Sequence, residues 1–350
     1  MNVDVSFHHL RLPRKRFEIS TGVKESVEVF VVEAVCGKVR GLGSGTPATS
    51  IGDTVKKCEK ALVQAGSFAV DLETYFENEI YGGMCEISPS AAAALDMAVW
   101  DLRAKMDGVN LAVALGGSLK GLPTDRTIDL MSPADAGSEA ARFVREGFSS
   151  IKVKVGRSLG EDLERVKAVR KGAGRDVRMF IDANGGYDEE SAAKLWDRAA
   201  GLEIDFFEQP VPPDMLEELA SLRGRGIRVC ADESFIGEAS LSKLIELEAA
   251  DIVNIKLMKC GGITSALRLA KMAGEAGLET MVGCMGDVGI SIAAAAHLAC
   301  SIVPRQVDLD SHLNIAPICD GPQVEKGEIV LRDEPGSGVN LIENWQNWGV

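Results

Sequence analysis

The chain has 350 residues, 46% of them hydrophobic and 26% charged, with a formal net charge of −14. That length accommodates one large core with a smaller accessory domain, and the charge argues against nucleic acid or an anionic membrane surface as a partner. Eight cysteines without a C-x-x-C pair read as reduced thiols of a cytoplasmic protein rather than a disulfide framework.

Met1 to Pro13 lacks an apolar signal core, and the first 45 residues read as strands. Val27 to Val35 is a β-branched run that turns at Cys36-Gly37 into 38–45, a hairpin. Helical patterns follow at 51–65, 70–78 and 89–107; in the last, Ala93, Met97, Trp100 and Ala104 recur at helical spacing. Gly116-Gly117 and Pro123 mark a boundary. Beyond it, short apolar runs alternate with helix-length segments of charge and alanine. The runs cover 126–131, 150–155, 177–182, 204–208, 228–232, 252–257, 279–283 and 306–309. Eight strands at this period predict the α/β class: a modified (β/α)8, TIM-type barrel with an N-terminal α+β capping domain. The expected divisions are 1–122 for the cap, 123–316 for the barrel and 317–350 for a segment packing back on the cap. Ile290 to Val303 is too short to span a bilayer and carries His297, so it reads as a buried helix.

Lys152, Lys154, Asp182, Glu208, Asp232 and Lys256 close these runs, at the strand ends where a βα barrel carries its chemistry. Lys152 and Lys154 share a strand face, leaving Ile151 and Val153 to pack on the surrounding helices. One lysine at a strand end is usually a solvated charge; two on one face opposite three carboxylates are not. Asp182, Glu208 and Asp232 end neighbouring strands, and hard carboxylate oxygens so placed suit Mg²⁺. Were each acid merely a cap for the following helix, Asn184 and Ser234 would be better placed for that task. Lys256 ends the sixth strand, half a ring from Lys154 on the second. A substrate between them presents one face of its α-carbon to each, so one lysine removes the proton and the other returns it. The metal and the neighbouring ammoniums are expected to lower the pKa of each base, while the metal stabilises the enediolate. Asp308 and Asp310 bracket Leu309 on one face at the end of the eighth strand, where they attract an ammonium. Gly261-Gly262 reads as a tight turn into the next helix.

Lys152-Val153-Lys154, Asp182-Ala183-Asn184, Glu208-Gln209-Pro210, Asp232-Glu233-Ser234 and Asn254-Ile255-Lys256 with Lys259-Cys260-Gly261-Gly262 resemble the enolase superfamily, and within it the muconate-lactonizing subgroup. Trp100-Asp101-Leu102 and Pro335 to Val339 match as well, so the resemblance covers nearly the whole chain. Asp308-Leu309-Asp310 looks like the signature of dipeptide epimerases, where two aspartates hold the α-ammonium of the N-terminal residue. The resemblance implies Mg²⁺ on Asp182, Glu208 and Asp232, Lys152 on the metal-bound carboxylate, and Lys154 with Lys256 as the acid/base pair. It also implies substrate contacts from Thr127, Cys284 and Gly286. Lys24 stands in an N-terminal loop where Ala-Glu epimerases carry arginine, keeping the charge without the bidentate fork; Asp287 replaces a usual glutamate. The expected function is epimerisation at the α-carbon of the C-terminal residue of a dipeptide, with an acidic residue there, as in Ala-Glu, because of Lys24. Muconate cycloisomerisation and dehydration to succinylbenzoate are the runners-up, but those substrates carry no ammonium for the aspartates. A non-catalytic barrel would be free to lose a ligand or base, and the set is complete. Neither nucleic acid nor membrane is an expected partner; a homo-oligomer is expected only by analogy with other large barrels.

Overall fold

In the computed structural model, residues 2–20, 22–66, 70, 71, 75 and 79–350 are described. The β-branched N-terminal run forms β1 (Asn2–Ile19), β2 (Gly22–Cys36) and β3 (Val39–Gly45), joined by a turn in which Gly37 takes φ 61°. Lys24 therefore lies within β2, opposite Phe17, rather than in a loop. α1 (Val55–Gly66), β4 (Val70–Asp71), α2 (Glu79–Ile87) and α3 (Pro89–Met106) follow. The helix expected over 70–78 is not formed at its start: Val70 and Asp71 pair with Val3 and Asn2 and cover the edge of β1. Tyr75 apart, the rest of that expectation falls outside the described residues. The cap sheet has the order β3-β2-β1-β4.

Ser88 caps α3 by accepting from the Ala91 amide, with Pro89 in the first turn. The helix lies directly on β3. A Cβ added at Gly41, Gly43 or Gly45 would strike the carbonyls of Ala98, Ala94 and Ser90 respectively. Glycine at alternate strand positions thus meets every fourth residue of the helix, and backbone touches backbone.

α4 (Leu111–Ala114) and β5 (Leu122–Pro123) lead into the barrel. Its strands are β6 (Arg126–Ile128), β7 (Ser150–Lys154), β8 (Arg178–Asp182), β9 (Ile204–Glu208), β10 (Val229–Ala231), β11 (Ile252–Ile255), β12 (Glu279–Gly283) and β13 (Gln306–Asp308). They form one eight-stranded sheet in sequence order with every ladder parallel, and the Asp125 amide donates to Val307 O at 3.3 Å across the seam. The intervening helices are α5 (Pro133–Arg145), α6 (Leu159–Ala173), α7 (Glu189–Arg198), α8 (Leu216–Gly224), α9 (Glu238–Glu246), α10 (Leu257–Cys260) with α11 (Ile263–Glu275), and α12 (Gly289–Ile302). β13 has no such helix after it; a 3-10 turn at Ser311–Asn314 takes its place, which is how the barrel is modified. β14 (Gln323–Glu325) and β15 (Glu328–Val330) then extend β5 into a small sheet. The tail returns to the cap, where the Val350 amide donates to His9 O. α12 is buried, as expected, and no helix among the described residues is long and apolar enough to cross a membrane.

The two strand faces divide the core. Ile151, Val153, Met179 and Ile181 point outward into the layer shared with the helices. Phe180, Phe206, Cys230, Ile252 and Met281 form a separate cluster inside the barrel, with Phe180 and Phe206 stacked at 4.5 Å. Each buried phenylalanine contributes on the order of 1.5–3 kcal/mol, and together they make the floor on which the polar layer rests.

Candidate active site

Two residues beyond four of the five floor positions the chain turns polar, on the same face because side chains alternate along a strand; beyond Met281 stands Gly283. Phe180 is followed by Asp182, Phe206 by Glu208, Cys230 by Asp232, and Ile252 by Asn254, with Lys256 two further on. Lys152 is the hub of this layer. Its Nζ lies 3.0 Å from Asp182 Oδ2, 2.8 Å from Glu208 Oε2 and 2.8 Å from Asp308 Oδ2, with 3% of its side chain exposed. Lys154 Nζ donates to Asp182 Oδ2 at 2.5 Å and to Asn184 Oδ1 at 2.9 Å. Across the ring, Lys256 Nζ donates to Asp232 Oδ2 at 2.7 Å, while Lys259 takes Oδ1 at 2.5 Å and the Asp232 carbonyl at 2.6 Å.

Burial opposes the charges on Lys152 and Lys256, but the facing carboxylates outweigh it and hold both ammoniums above the ordinary lysine value. Among the protein's own charges on Lys256, the direct ion pair with Asp232 exceeds the repulsion from Lys152, so the neighbouring ammonium alone does not produce the expected lowering. Asp182, despite burial, is pulled down to about 2 by Lys152 and Lys154. Glu208 is pushed up to about 7, by burial and then by Asp182.

The donor set fits a hard divalent cation: three buried carboxylates on adjacent strands, one with an oxygen that accepts no hydrogen bond and is held only by its ion pair with Lys152. Glu208 Oε1 accepts from Asn254 Nδ2 at 2.9 Å. Oε2 makes no hydrogen bond, its approach to Lys152 being close but misaligned. Each of the three acids is instead paired with a lysine. Among the described residues, the cluster of potential ligand atoms within 4.8 Å of one another is Cys284, Asp308 and Asp310. Asn184 and Ser234 do not cap helices. Asp188 caps α7, while Asn184 joins Lys154 to Glu233 and Ser234 bridges Gln209 and Pro213.

Above this layer is a cavity of about 50 Å³, smaller than a dipeptide, so the side chains around it must part to admit one. Thr127, Lys152, Lys154, Lys256, Cys284, Asp308 and Asp310 line it, joined by Arg14 and Phe17 from β1. Gly286 stands back against the cap, its carbonyl accepting from Thr46 Oγ1 at 3.5 Å. Lys24 is exposed as a residue and does not line the cavity, although partial desolvation, then Arg14, Lys256 and Lys154, lower its pKa. Asp287 folds back to accept from the Met285 amide at 2.9 Å.

Asp310 Oδ2 accepts from the Thr127 amide at 2.9 Å and from Arg126 Nη1 at 3.1 Å, so it has a cationic partner that the sequence did not suggest. Both aspartates use Oδ2 in these contacts. Asp125 lies buried beneath them, its pKa raised well above the ordinary value by burial and then by Asp308 and Asp310. Arg14, Phe17, Arg126 and Asp125 are the site residues that reading the sequence missed.

Residues 3–116 match the mandelate racemase / muconate lactonizing enzyme N-terminal domain, and residues 135–345 match the enolase C-terminal domain-like family. The chain belongs to the enolase superfamily, in its mandelate racemase and muconate-lactonizing branch. It is 33% identical to the L-Ala-D/L-Glu epimerase of Clostridium acetobutylicum, over 97% of this chain and 99% of that protein. The L-Lys-D/L-Arg epimerase of Desulforapulum autotrophicum is 35% identical, over 90% of this chain and 91% of that one. The solved structure of a dipeptide epimerase from Enterococcus faecalis, complexed with Mg and the dipeptide L-Leu-L-Tyr, superposes with a TM-score of 0.91. It is 31% identical, with 97% of this chain and 99% of that chain covered.

Proposed function

We propose that the protein is a Mg²⁺-dependent dipeptide epimerase that inverts the α-carbon of the C-terminal residue by two-base 1,1-proton transfer. The observation that carries this reading is the placement of Lys154 and Lys256, buried beside carboxylates on strands four apart in a ring of eight. Asp182, Glu208 and Asp232 would hold the metal, which supplies fixed positive charge opposite the substrate carboxylate. Lys152 adds a second positive charge there, where negative charge grows as the α-proton leaves. One lysine, neutral at that moment, takes the proton from its face of the α-carbon. The other, as an ammonium, gives its own proton to the opposite face, so the net charge of the pair is unchanged and the reverse reaction exchanges their roles. Asp308 and Asp310 receive the α-ammonium of the N-terminal residue through the oxygens they do not spend on Lys152 and Arg126. Lys24, close enough to feel Lys154 and Lys256, favours an acidic C-terminal side chain. Eight free cysteines fit a reducing compartment, and we place the enzyme in the cytoplasm.

The test is a dipeptide library incubated with enzyme and Mg²⁺ in D₂O and read by mass spectrometry and chiral analysis. Active members gain one deuterium at the C-terminal α-carbon as they epimerise. A library in which no dipeptide gains deuterium refutes the assignment.

A further inference from the structure

The sequence turns Arg14 into the barrel mouth. Between the pairs Pro13↔Ser26 and Phe17↔Lys24, β1 advances four residues (17−13) while β2 advances two (26−24). β1 therefore carries two extra residues, and a bulge of this kind re-aims side chains. The Arg14 backbone bridges to Ile315, and its guanidinium carbon lies 4.8 Å over the Phe17 ring. The side chain is held at both ends while it lines the same cavity as the lysines and aspartates.

Other cations of this cavity have carboxylate partners. Lys152 has Asp182, Glu208 and Asp308, Lys154 has Asp182, and Lys256 has Asp232. Arg14 has no carboxylate within ion-pair distance among the described residues, and its Nε is buried without a hydrogen bond. A guanidinium stays charged under such conditions, and leaving it unpaired in a closed site is costly. A ligand anion would supply the missing partner, and the α-carboxylate is already assigned to the metal and Lys152. Position decides which end of the ligand supplies it. The Arg14 backbone is bridged to Ile315, just past Asp310, and its strongest charge interactions are with Cys284, Asp310 and then Asp129, on the side of the mouth that takes the substrate's ammonium; Lys24 interacts with Arg14 first and then with Lys256 and Lys154, around the reacting carbon.

Building on the epimerase reading, we propose that Arg14 binds a carboxylate on the side chain of the substrate's amino-terminal residue, so that the enzyme selects dipeptides beginning with glutamate or aspartate. The planar fork of arginine suits two-point binding of such a group.

The experiment compares kcat/KM for L-Glu-L-Ala, L-Ala-L-Glu and L-Ala-L-Ala with the wild-type enzyme, Arg14→Gln and Arg14→Lys. Ratios between substrates on one preparation cancel the fraction of folded enzyme. The wild type is expected to favour L-Glu-L-Ala over L-Ala-L-Ala by about tenfold or more. Arg14→Gln should bring that ratio to about one, and Arg14→Lys should retain part of it because charge survives without the fork. A wild-type ratio near one overturns the proposal, as does a ratio that Arg14→Gln leaves unchanged or a loss confined to L-Ala-L-Glu. In each of those outcomes wild-type turnover of L-Ala-L-Ala leaves the epimerase reading standing. A wild type that epimerises no dipeptide removes that reading and this one with it.

Discussion

Replacing Lys154 or Lys256 with alanine separates chemistry from stability, because the carboxylate left behind keeps another partner. In Lys256→Ala, Asp232 retains Lys259 on Oδ1 at 2.5 Å. In Lys154→Ala, Asp182 retains Lys152 at 3.0 Å and the Asn184 amide at 2.8 Å. Breaking a buried pair costs about 3–5 kcal/mol when it strands the surviving charge; with a second cation in place the cost is smaller, and both variants should fold. Lys152→Ala differs. Asp182 still has Lys154, and Glu208, whose pKa is already pushed up to about 7, can take a proton, but Asp308 loses its ion-pair partner, a loss of about 3–5 kcal/mol. That is a large part of the stability of a typical domain, about 5–15 kcal/mol, so this variant should melt well below the other two by circular dichroism. The folded pair is assayed for epimerisation and, separately, for α-deuterium uptake from each pure epimer. Epimerisation should fall by about 10²–10⁴-fold in both, while each variant exchanges the proton of one epimer only, and not the same one. Near-normal epimerisation by either variant, or exchange of the same epimer by both, would refute two bases on opposite faces.

Chelation should abolish activity and Mg²⁺ should restore it; Glu208→Gln should stay folded yet respond to no Mg²⁺ concentration, and normal turnover by that variant removes Glu208 from the metal site. N-acetylation of the dipeptide should lower kcat/KM more than about tenfold by removing the ammonium from Asp308 and Asp310; equal constants for the free and acetylated forms would exclude that contact. His297 offers a test of stability. Its Nδ1 accepts from the Ala112 amide at 3.1 Å and its Nε2 faces Ser337 O at 3.2 Å, so the buried ring is neutral and burial lowers its pKa from 6.5 to about 4. With the folded pKa depressed, the unfolded chain takes the proton first, and stability falls as pH drops from about 6.5 to about 4. The loss is roughly 3 kcal/mol for about 2.5 units. Urea midpoints of wild type and His297→Gln should therefore approach each other as pH falls, and parallel curves would contradict this.

The barrel was legible because each strand, loop and helix unit repeats at a near-constant length and because Asp182, Glu208 and Asp232 fall at or just past strand ends. Lys154, Asp182, Glu208, Asp232 and Lys256 are found by counting, since alternation fixes their face. What escaped depends on partners remote in sequence or on backbone irregularity. Arg126 reaches Asp310 over 184 residues, and nothing near Arg126 announces that. Arg14 turns inward only through the mismatch in strand advance, which has no compositional mark. Residues 70 and 71 read as helix by pattern and form a strand because the open edge of β1 recruits them. Asn184 resembles a helix cap by type, yet its φ of 45° and its contacts put it in the network around Lys154. The direction of the Lys256 shift depended on how close Asp232 lies, a distance that sequence does not encode.

The contact of Gly41, Gly43 and Gly45 with α3 bears on how this enzyme could diversify. α3 is also fastened to the barrel, through Asp96, which accepts from the amide and hydroxyl of Thr264 at the start of α11. The part that would choose the substrate is thus referenced to the part that would perform the chemistry by main-chain contact between β3 and α3 and by the buried Asp96 carboxylate between α3 and the barrel. Side chains on the hairpin, Arg14 and Lys24 among them, can then be exchanged without disturbing the alignment of the lysines. Selectivity can change in few mutational steps while the reaction stays the same, in keeping with relatives whose names pair one chemistry with acidic, basic and apolar dipeptides.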